Sequence, residues 1–134
     1  MKRTHRFITE FDRCRLGALL SSREGRAWAR ASCLSALDAR LEDATAIALD
    51  ETPGCLVTMN STVELTDIRS GKRRRVTLAY PEDCELVSNS VSVFDRLGIQ
   101  LLGSEIGDVL YDGTRRLCVT QILYQPETAG DHHL

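Results

Sequence analysis

Residues 50–55, with the sequence DETPGC, separate two segments whose apolar residues follow different spacings. Before this segment, apolar residues recur at steps of three and four, as on one face of a helix. They are Ala27, Ala31, Leu34, Leu37, Leu41, Ala44 and Ala48. After it, apolar and polar residues alternate, as in half-buried strands. Pro53 cannot continue a helix, and Gly54 lets the chain turn. The sequence therefore predicts an α+β protein with one domain at 1–52 and a second at 53–134.

The first domain is expected to contain two helices joined by a short connection. Thr9 stands three residues before Asp12, so its hydroxyl can cap the free N–H groups of a first helical turn. The stretch SSREGRAWARAS, residues 21–32, interrupts the apolar pattern, and a second helix is expected from about residue 27 to residue 48. Two such helices form an antiparallel helical hairpin, a short coiled coil.

The second domain is expected to be a small antiparallel sheet crossed by one short helix. Its strands are predicted at TVELTDI (62–68), RRVTLAY (74–80), SVSV (90–93), DVLYD (108–112) and RLCVTQILY (116–124). The helix is predicted at DRLGIQLLG (95–103), with Gly103 at its C-terminal cap. Pro126 is expected to end regular structure.

The composition predicts an ordinary globular protein of the cytoplasm. Of the 134 residues, 43% are hydrophobic and 27% are charged. No apolar run approaches the roughly 18 residues that cross a membrane, and the basic start lacks the apolar core of a secretory signal. The five cysteines are odd in number, widely spaced and without a C-x-x-C pair, so buried reduced thiols are expected.

The positions of the histidines argue against an enzyme. His5, His132 and His133 all lie near the ends of the chain, so a Ser–His or Cys–His site in the body has no base. Phosphate-loop, dinucleotide-binding and H-E-x-x-H motifs are absent as well. We expect no catalytic residue, no cofactor, no metal site and no small-molecule substrate.

Positive charge is concentrated in two places. Residues 1–30 contain eight Lys or Arg against three Asp or Glu, so a basic end precedes an acidic body. That asymmetry can orient a protein toward an anionic or acidic partner. The second place is Lys72, Arg73, Arg74 and Arg75. Two interpretations of this run stay open, a solvated cluster that protects a sheet edge and a patch that meets phosphate or an acidic protein surface.

Several stretches after residue 52 resemble one known family. VTMNSTVELTDIRSGKRRRVTLAYPED (57–83) and SVSVFDRLGIQLLGSEIGDVLYD (90–112) resemble the C-terminal domain of the Gre transcript-cleavage factors. The ending ILYQPETAGDHHL (122–134) resembles the Rnk branch, the regulators of nucleoside diphosphate kinase. The resemblance implies an FKBP-like second domain and a non-enzymatic regulator that binds RNA polymerase near its secondary channel. The same resemblance implies that the protein influences transcription elongation and nucleoside diphosphate kinase levels. It also implies an indirect contact with nucleic acid.

The loop before the short helix carries the polymerase-binding candidates that the resemblance implies. They are Phe94, Asp95, Arg96 and Leu97. Arg96 stands where the family usually has a proline, so the loop lacks the fixed φ that proline imposes. Its guanidinium can still pair with an acidic helix face.

The tip of the predicted hairpin differs from that of the cleavage factors. Those factors carry an acidic pair that holds a catalytic magnesium ion inside polymerase, and magnesium requires hard carboxylate oxygens. Here the tip offers Arg23, Arg26 and Arg30 with Glu24 as its one carboxylate. The paired helices would also reach only about 20 Å at 1.5 Å per residue. The sequence therefore predicts a protein that does not stimulate transcript cleavage.

Two other functions compete with this prediction. An FKBP-like fold suggests a peptidyl-prolyl isomerase, which needs a pocket lined by aromatic side chains. The aromatic residues of the second domain are instead expected in its core, and they are Tyr80, Phe94, Tyr111 and Tyr124. A docking module for another cytoplasmic protein is left open by the sequence.

Overall fold

The computed structural model describes residues 6–23, 27 and 31–131. In chain order its elements are β1 (Phe7–Thr9), α1 (Glu10–Ser21), α2 (Ala31–Asp43), β2 (Thr45–Ile47), a 3-10 turn (Leu49–Glu51), β3 (Thr62–Asp67), β4 (Arg73–Ala79), a 3-10 turn (Pro81–Asp83), β5 (Ser90–Ser92), α3 (Arg96–Leu101), β6 (Val109–Asp112), β7 (Arg115–Tyr124) and α4 (Pro126–Ala129). Helices and a sheet are both present, which confirms the predicted α+β class.

Five strands form one sheet in the order β5-β4-β3-β7-β6. Strands β3, β4, β7 and β6 pair antiparallel, but β5 runs parallel to β4, with Leu78 opposite Val91. The prediction of a purely antiparallel sheet is therefore wrong. The chain between β4 and β5 passes through a 3-10 turn and a loop instead of a tight hairpin, and this crossover brings β5 back in the same direction.

The β3–β4 hairpin confirms the alternation in the sequence. Val63 and Leu65 on β3, and Val76 and Leu78 on β4, are buried on one face of the sheet. Gly71 takes a positive φ of 74° in the connecting turn, which a residue with a side chain rarely adopts. Alternation with period two therefore fixed which face of this hairpin packs inward.

The second helix ends earlier than the sequence predicts. It stops at Asp43, and residues 45–47 form β2, which pairs parallel with β1. The N–H of Thr45 donates to the carbonyl of Arg6 at 2.9 Å, so the chain leaves the helix to complete this short ladder. The prediction that Pro126 ends regular structure is also wrong, because Pro126 opens α4 at a position where its missing N–H costs nothing.

The start of α1 is as predicted. Thr9 is its N-terminal cap, and the Thr9 Oγ1 accepts the N–H of Asp12 at 3.1 Å. The connection between α1 and α2 lies largely outside the described residues, so the antiparallel hairpin stays a prediction. No helix in the described part of the chain is both long and apolar enough to cross a membrane.

One hydrophobic core joins the helices to the sheet. Leu16 of α1 and Leu37 of α2 are fully buried, and they belong to the same cluster as Leu65 and Leu78 of the sheet. Burial of one such leucine stabilises the fold by about 1.5–3 kcal/mol. The helices before residue 52 and the sheet after it are therefore held together by shared apolar contacts.

Two predictions about side-chain burial need correction. All five cysteines are free thiols as expected, but Cys14 and Cys55 are exposed and the other three are only half-buried. Among the aromatic residues, Tyr80 and Phe94 lie in the core, whereas Tyr111 is 57% exposed. Tyr111 lies on the edge strand β6, one position after the buried Leu110, so strand alternation leaves its side chain at the surface.

Candidate functional site

Helix α3 and the loop before it hold the residues that the family resemblance selects. Gly98 lets this helix lie directly on the end of β5, because a Cβ atom at this position would stand 1.9 Å from the carbonyl oxygen of Ser92. Phe94 and Leu97 anchor the loop, with 2% and 8% of their surfaces exposed. The helix is thus fixed by a close backbone approach and by two buried side chains.

The burial of these anchors decides which candidates can touch a partner. Phe94 and Leu97 face the core, whereas Asp95 and Arg96 are exposed. Asp95 is the N-terminal cap of α3, yet its carboxylate makes no capping hydrogen bond. We call Asp95 and Arg96 the loop pair. They present one negative and one positive charge side by side, and the role of all four candidates stays a prediction.

The basic run does not form a single patch. Lys72, Arg73, Arg74 and Arg75 are all exposed, but strand alternation sends neighbouring side chains of β4 to opposite faces. Arg74 lies opposite the buried Leu65 and reaches Asp112 at 3.9 Å. Arg73 and Arg75 point to the outer face. Because both partners of the Arg74–Asp112 pair are about half exposed, the pair adds little stability.

The predicted hairpin tip falls mostly outside the described residues. Arg23 is described and is exposed. Glu24, Arg26 and Arg30 are not among the described residues. The composition of the tip therefore rests on the sequence.

A buried carboxylate joins α1 to the second domain, and the sequence did not single it out for this role. Asp12 is 1% exposed, and its Oδ2 accepts the backbone N–H of Met59 at 3.0 Å. The sequence predicted only that this residue stands in the first turn of a helix. Its real partner lies 47 positions away, so no local pattern could have indicated the contact. We call this contact the Asp12 junction.

An aromatic ring and charged side chains lie near Asp12. The ring of Tyr80 is 1% exposed, and the Arg15 guanidinium lies 4.1 Å from the ring centroid. The pKa of Asp12 is raised from 3.8 to about 7, chiefly by burial and to a smaller extent by the nearby Glu127, while the hydrogen bond from Met59 opposes the shift. Burial also raises the pKa of Tyr80. Within the described part of the chain, the Tyr80 hydroxyl has no hydrogen-bond partner.

The C-terminal segment is fastened to the chain that enters the sheet. The Gln125 side-chain amide donates to the carbonyls of Pro53 and Leu56, each at 2.8 Å. The Thr58 hydroxyl donates to the Glu127 carboxylate at 2.6 Å. Gln125 and Glu127, the polar residues of the sequence QPE at 125–127, therefore have a structural role. Both connect the C-terminal segment to residues 53–58.

The described residues contain no group of three or more His, Cys, Asp or Glu side chains placed to hold a metal ion. They do contain exposed apolar residues that no sequence pattern indicated. Leu86 is 83% exposed in the loop before β5, and Ile106 is 47% exposed before β6. Isolated apolar residues at the surface are common, so neither alone defines a site.

Comparison with known proteins agrees with this architecture. Residues 53–124 match the family described as "Transcription elongation factor, GreA/GreB, C-term". Over 139 aligned residues, which cover both chains completely, the protein is 34% identical to the "Regulator of nucleoside diphosphate kinase" of Escherichia coli K12.

Two further similarities concern transcription factors. The protein is 35% identical over 74 residues to the "Transcription inhibitor protein Gfh1" of Thermus aquaticus, covering 52% of this chain and 47% of that one. A GreA/GreB elongation factor from Nitrosomonas europaea superposes with a TM-score of 0.76 at 29% identity, over 89% of this chain and 99% of that chain. The chain therefore belongs to the Rnk family, the regulators of nucleoside diphosphate kinase, and carries a GreA/GreB-type C-terminal domain.

Proposed function

We propose that this protein is a non-enzymatic transcription regulator that binds RNA polymerase near its secondary channel without stimulating transcript cleavage. The observation that carries the proposal is the match of residues 53–124 to the GreA/GreB C-terminal domain, within a chain that aligns over its full length with a regulator. Relatives with this domain include both an elongation factor and a transcription inhibitor. Binding to polymerase is compatible with either stimulation or inhibition of transcription. Features other than binding therefore determine which of the two occurs.

The loop pair is the proposed contact with polymerase. Asp95 and Arg96 are exposed at the start of α3, where two buried anchors hold the backbone, so the backbone need not be ordered on binding. An acidic helix face on polymerase would pair with Arg96. Lys72 and the outward-facing Arg73 and Arg75 are proposed to supply the indirect contact with nucleic acid.

The absence of cleavage activity follows from the proposed tip. Three arginines and one glutamate would repel a divalent ion that an acidic pair would hold. The proposal keeps the antiparallel hairpin at 1–52 and the FKBP-like domain at 53–134. It places the protein in the cytoplasm, where polymerase works, with nucleoside diphosphate kinase levels as one downstream effect.

Co-elution with purified RNA polymerase at moderate salt tests the proposal. We expect the protein to co-elute and a Gre factor in excess to displace it. In a stalled-complex assay, the protein should leave backtracked transcripts at the background cleavage rate, whereas a Gre factor shortens them. Failure to co-elute would contradict polymerase binding, and cleavage above background would contradict the proposed tip.

Charge reversal of the loop pair locates the contact. The double variant Asp95→Lys with Arg96→Glu should bind polymerase about tenfold or more weakly, because each charge then meets a like charge. Arg115→Glu is the matched control, since this exposed arginine lies on β7, outside the loop pair and outside the basic run. Equal losses in both variants would mean that binding responds to overall charge and not to the loop pair.

A further inference from the structure

An open cleft lies beside the edge strand β6. Its volume is about 540 Å³, which is within the range of small-molecule sites, roughly 300–1,000 Å³. The cleft is lined by residues from the start of β1, from α2, from α3 and from strands β6 and β7. We call it the β6 cleft.

Positive charge predominates among the residues that line this cleft. Arg6, Arg40 and Arg116 contribute three guanidinium groups from three separate segments, and Asp108 contributes the one carboxylate. That carboxylate accepts the backbone N–H of Glu105 at 2.9 Å, and Nη1 of Arg6 donates to the carbonyl of Gln100 at 3.5 Å. Guanidinium groups supplied by different segments suit an anion with several oxygens, because a guanidinium is always charged and donates several hydrogen bonds.

Hydrogen bonds hold the cleft in shape. The Gln100 amide donates to the carbonyl of Tyr111 at 2.8 Å and accepts the N–H of the same residue at 2.9 Å. The backbone of Ile68 is bonded to the carbonyl of Arg116 at 3.0 Å. A side chain from α3 and a residue beyond β3 are thus fixed to the two strands that form the cleft wall, so the wall is largely preformed.

The remaining wall is apolar and aromatic. Tyr111, Ile68 and Val109 line the cleft, and 57%, 46% and 40% of their surfaces are exposed. In strand register Tyr111 lies opposite Arg116, so an aromatic ring and a guanidinium stand next to each other on the same face. A flat ring can stack on tyrosine, and charged oxygens attached to it can reach the arginine.

We propose that the β6 cleft binds a nucleoside di- or triphosphate, with its phosphates on Arg116, Arg40 and Arg6 and its base against Tyr111. The combination of a small preformed volume, three guanidinium groups and one exposed aromatic ring carries this assignment. It goes beyond the proposed binding to polymerase and does not depend on it. The sequence indicated no small-molecule partner, because the residues of the cleft are scattered from position 6 to position 116.

Titration of the full chain with ADP, inorganic pyrophosphate and adenosine tests the assignment. We expect saturable binding of ADP in calorimetry, weaker binding of pyrophosphate and little binding of adenosine. In NMR spectra, ADP should shift the Tyr111 backbone amide and the Gln100 side-chain amide, which are bonded to each other. No saturable binding of ADP, or pyrophosphate binding as tight as ADP binding, would overturn the proposal.

Substitutions distinguish binding in the β6 cleft from a general effect of surface charge. Arg116→Gln should weaken ADP about tenfold, which is the loss of one charge-assisted contact. Arg115→Gln is the matched control, because this exposed arginine is the neighbour of Arg116 on β7 but does not line the cleft, and ADP affinity should stay within about twofold. Tyr111→Ala should weaken ADP and leave pyrophosphate unchanged. Equal losses for the two arginine variants would overturn the proposal. None of these results bears on co-elution with polymerase, so the two proposals fail independently.

Discussion

Two helices meet the same sheet in opposite ways. Helix α3 lies on β5 through Gly98, where the backbones approach so closely that no side chain fits between them. Helix α1 meets the second domain through the Asp12 junction, a buried carboxylate bonded to a backbone N–H. The first contact involves no titratable group, whereas the second includes Asp12, whose protonation state changes with pH. The position of α3 is therefore insensitive to pH, whereas the attachment of α1 depends on pH.

The largest effect is expected from Gly98→Ala. The added Cβ would stand 1.9 Å from the Ser92 carbonyl oxygen, so α3 must move away from β5. We expect the free energy of unfolding in urea to fall by about 3 kcal/mol or more. Gly17→Ala is the matched control, because nothing lies within 4 Å of the added atom, and alanine should favour helix α1 by about 1 kcal/mol. Native-like stability of Gly98→Ala would show that the contact is not tight.

The next effect is expected from Asp12→Asn, measured as a function of pH. The pKa of Asp12 is raised from 3.8 to about 7 in the folded protein. The folded state therefore keeps this proton where the unfolded chain has released it. Its stabilising contribution is full below about pH 4 and is lost as the pH rises through 7.

Asparagine offers the same oxygen to the Met59 N–H but does not titrate. The variant should therefore be more stable than the native protein at pH 8, and the difference should shrink or reverse toward pH 4. Unfolding in urea at several pH values measures both proteins under identical conditions. Parallel stability curves for the two would mean that Asp12 keeps an ordinary pKa. Arg15, Tyr80 and Glu127 are present in both proteins, so the difference isolates residue 12.

The smallest effect is expected from Tyr80→Phe. The Tyr80 hydroxyl is buried without a hydrogen-bond partner in the described part of the chain, which is unfavourable. Phenylalanine keeps the ring under the Arg15 guanidinium and removes the hydroxyl. We expect the melting temperature to rise, with a gain of about 1 kcal/mol. A loss of stability would show that the hydroxyl has a partner, and the Asp12 junction would then extend to Tyr80.

Local patterns in the sequence predicted those parts of the fold that are stabilised locally. The β3–β4 hairpin has alternating residues and a glycine in its turn, and Thr9 caps α1 through a bond to a residue three positions away. Strands β1 and β2 have three residues each, which is too few for an alternating pattern to be recognised in the sequence. They form because segments 38 positions apart pair with each other. For that reason the second helix was predicted to continue through β2.

The candidate site was only partly predictable for the same reason. The family resemblance selected the loop before α3, but burial of Phe94 and Leu97 leaves the loop pair as its exposed part. The strand predicted from the sequence began at Arg74. If it had included Arg73, strand alternation would have shown that the basic run divides between the two faces of the sheet. The Asp12 junction and the β6 cleft are built from residues far apart in the chain, and no spacing rule connects them.

The bond between Gln100 and Tyr111 has a consequence for how these molecules behave when crowded together. An edge strand carries main-chain groups that another protein's strand can join, which is a common start of aggregation. At Tyr111 the Gln100 amide takes both of these groups, as a neighbouring strand would. The opposite edge, β5, is only three residues long. The Gln100 side chain thus opposes strand addition at one edge of the sheet, and the short length of β5 opposes it at the other edge. Both features favour a protein that stays dispersed at high concentration.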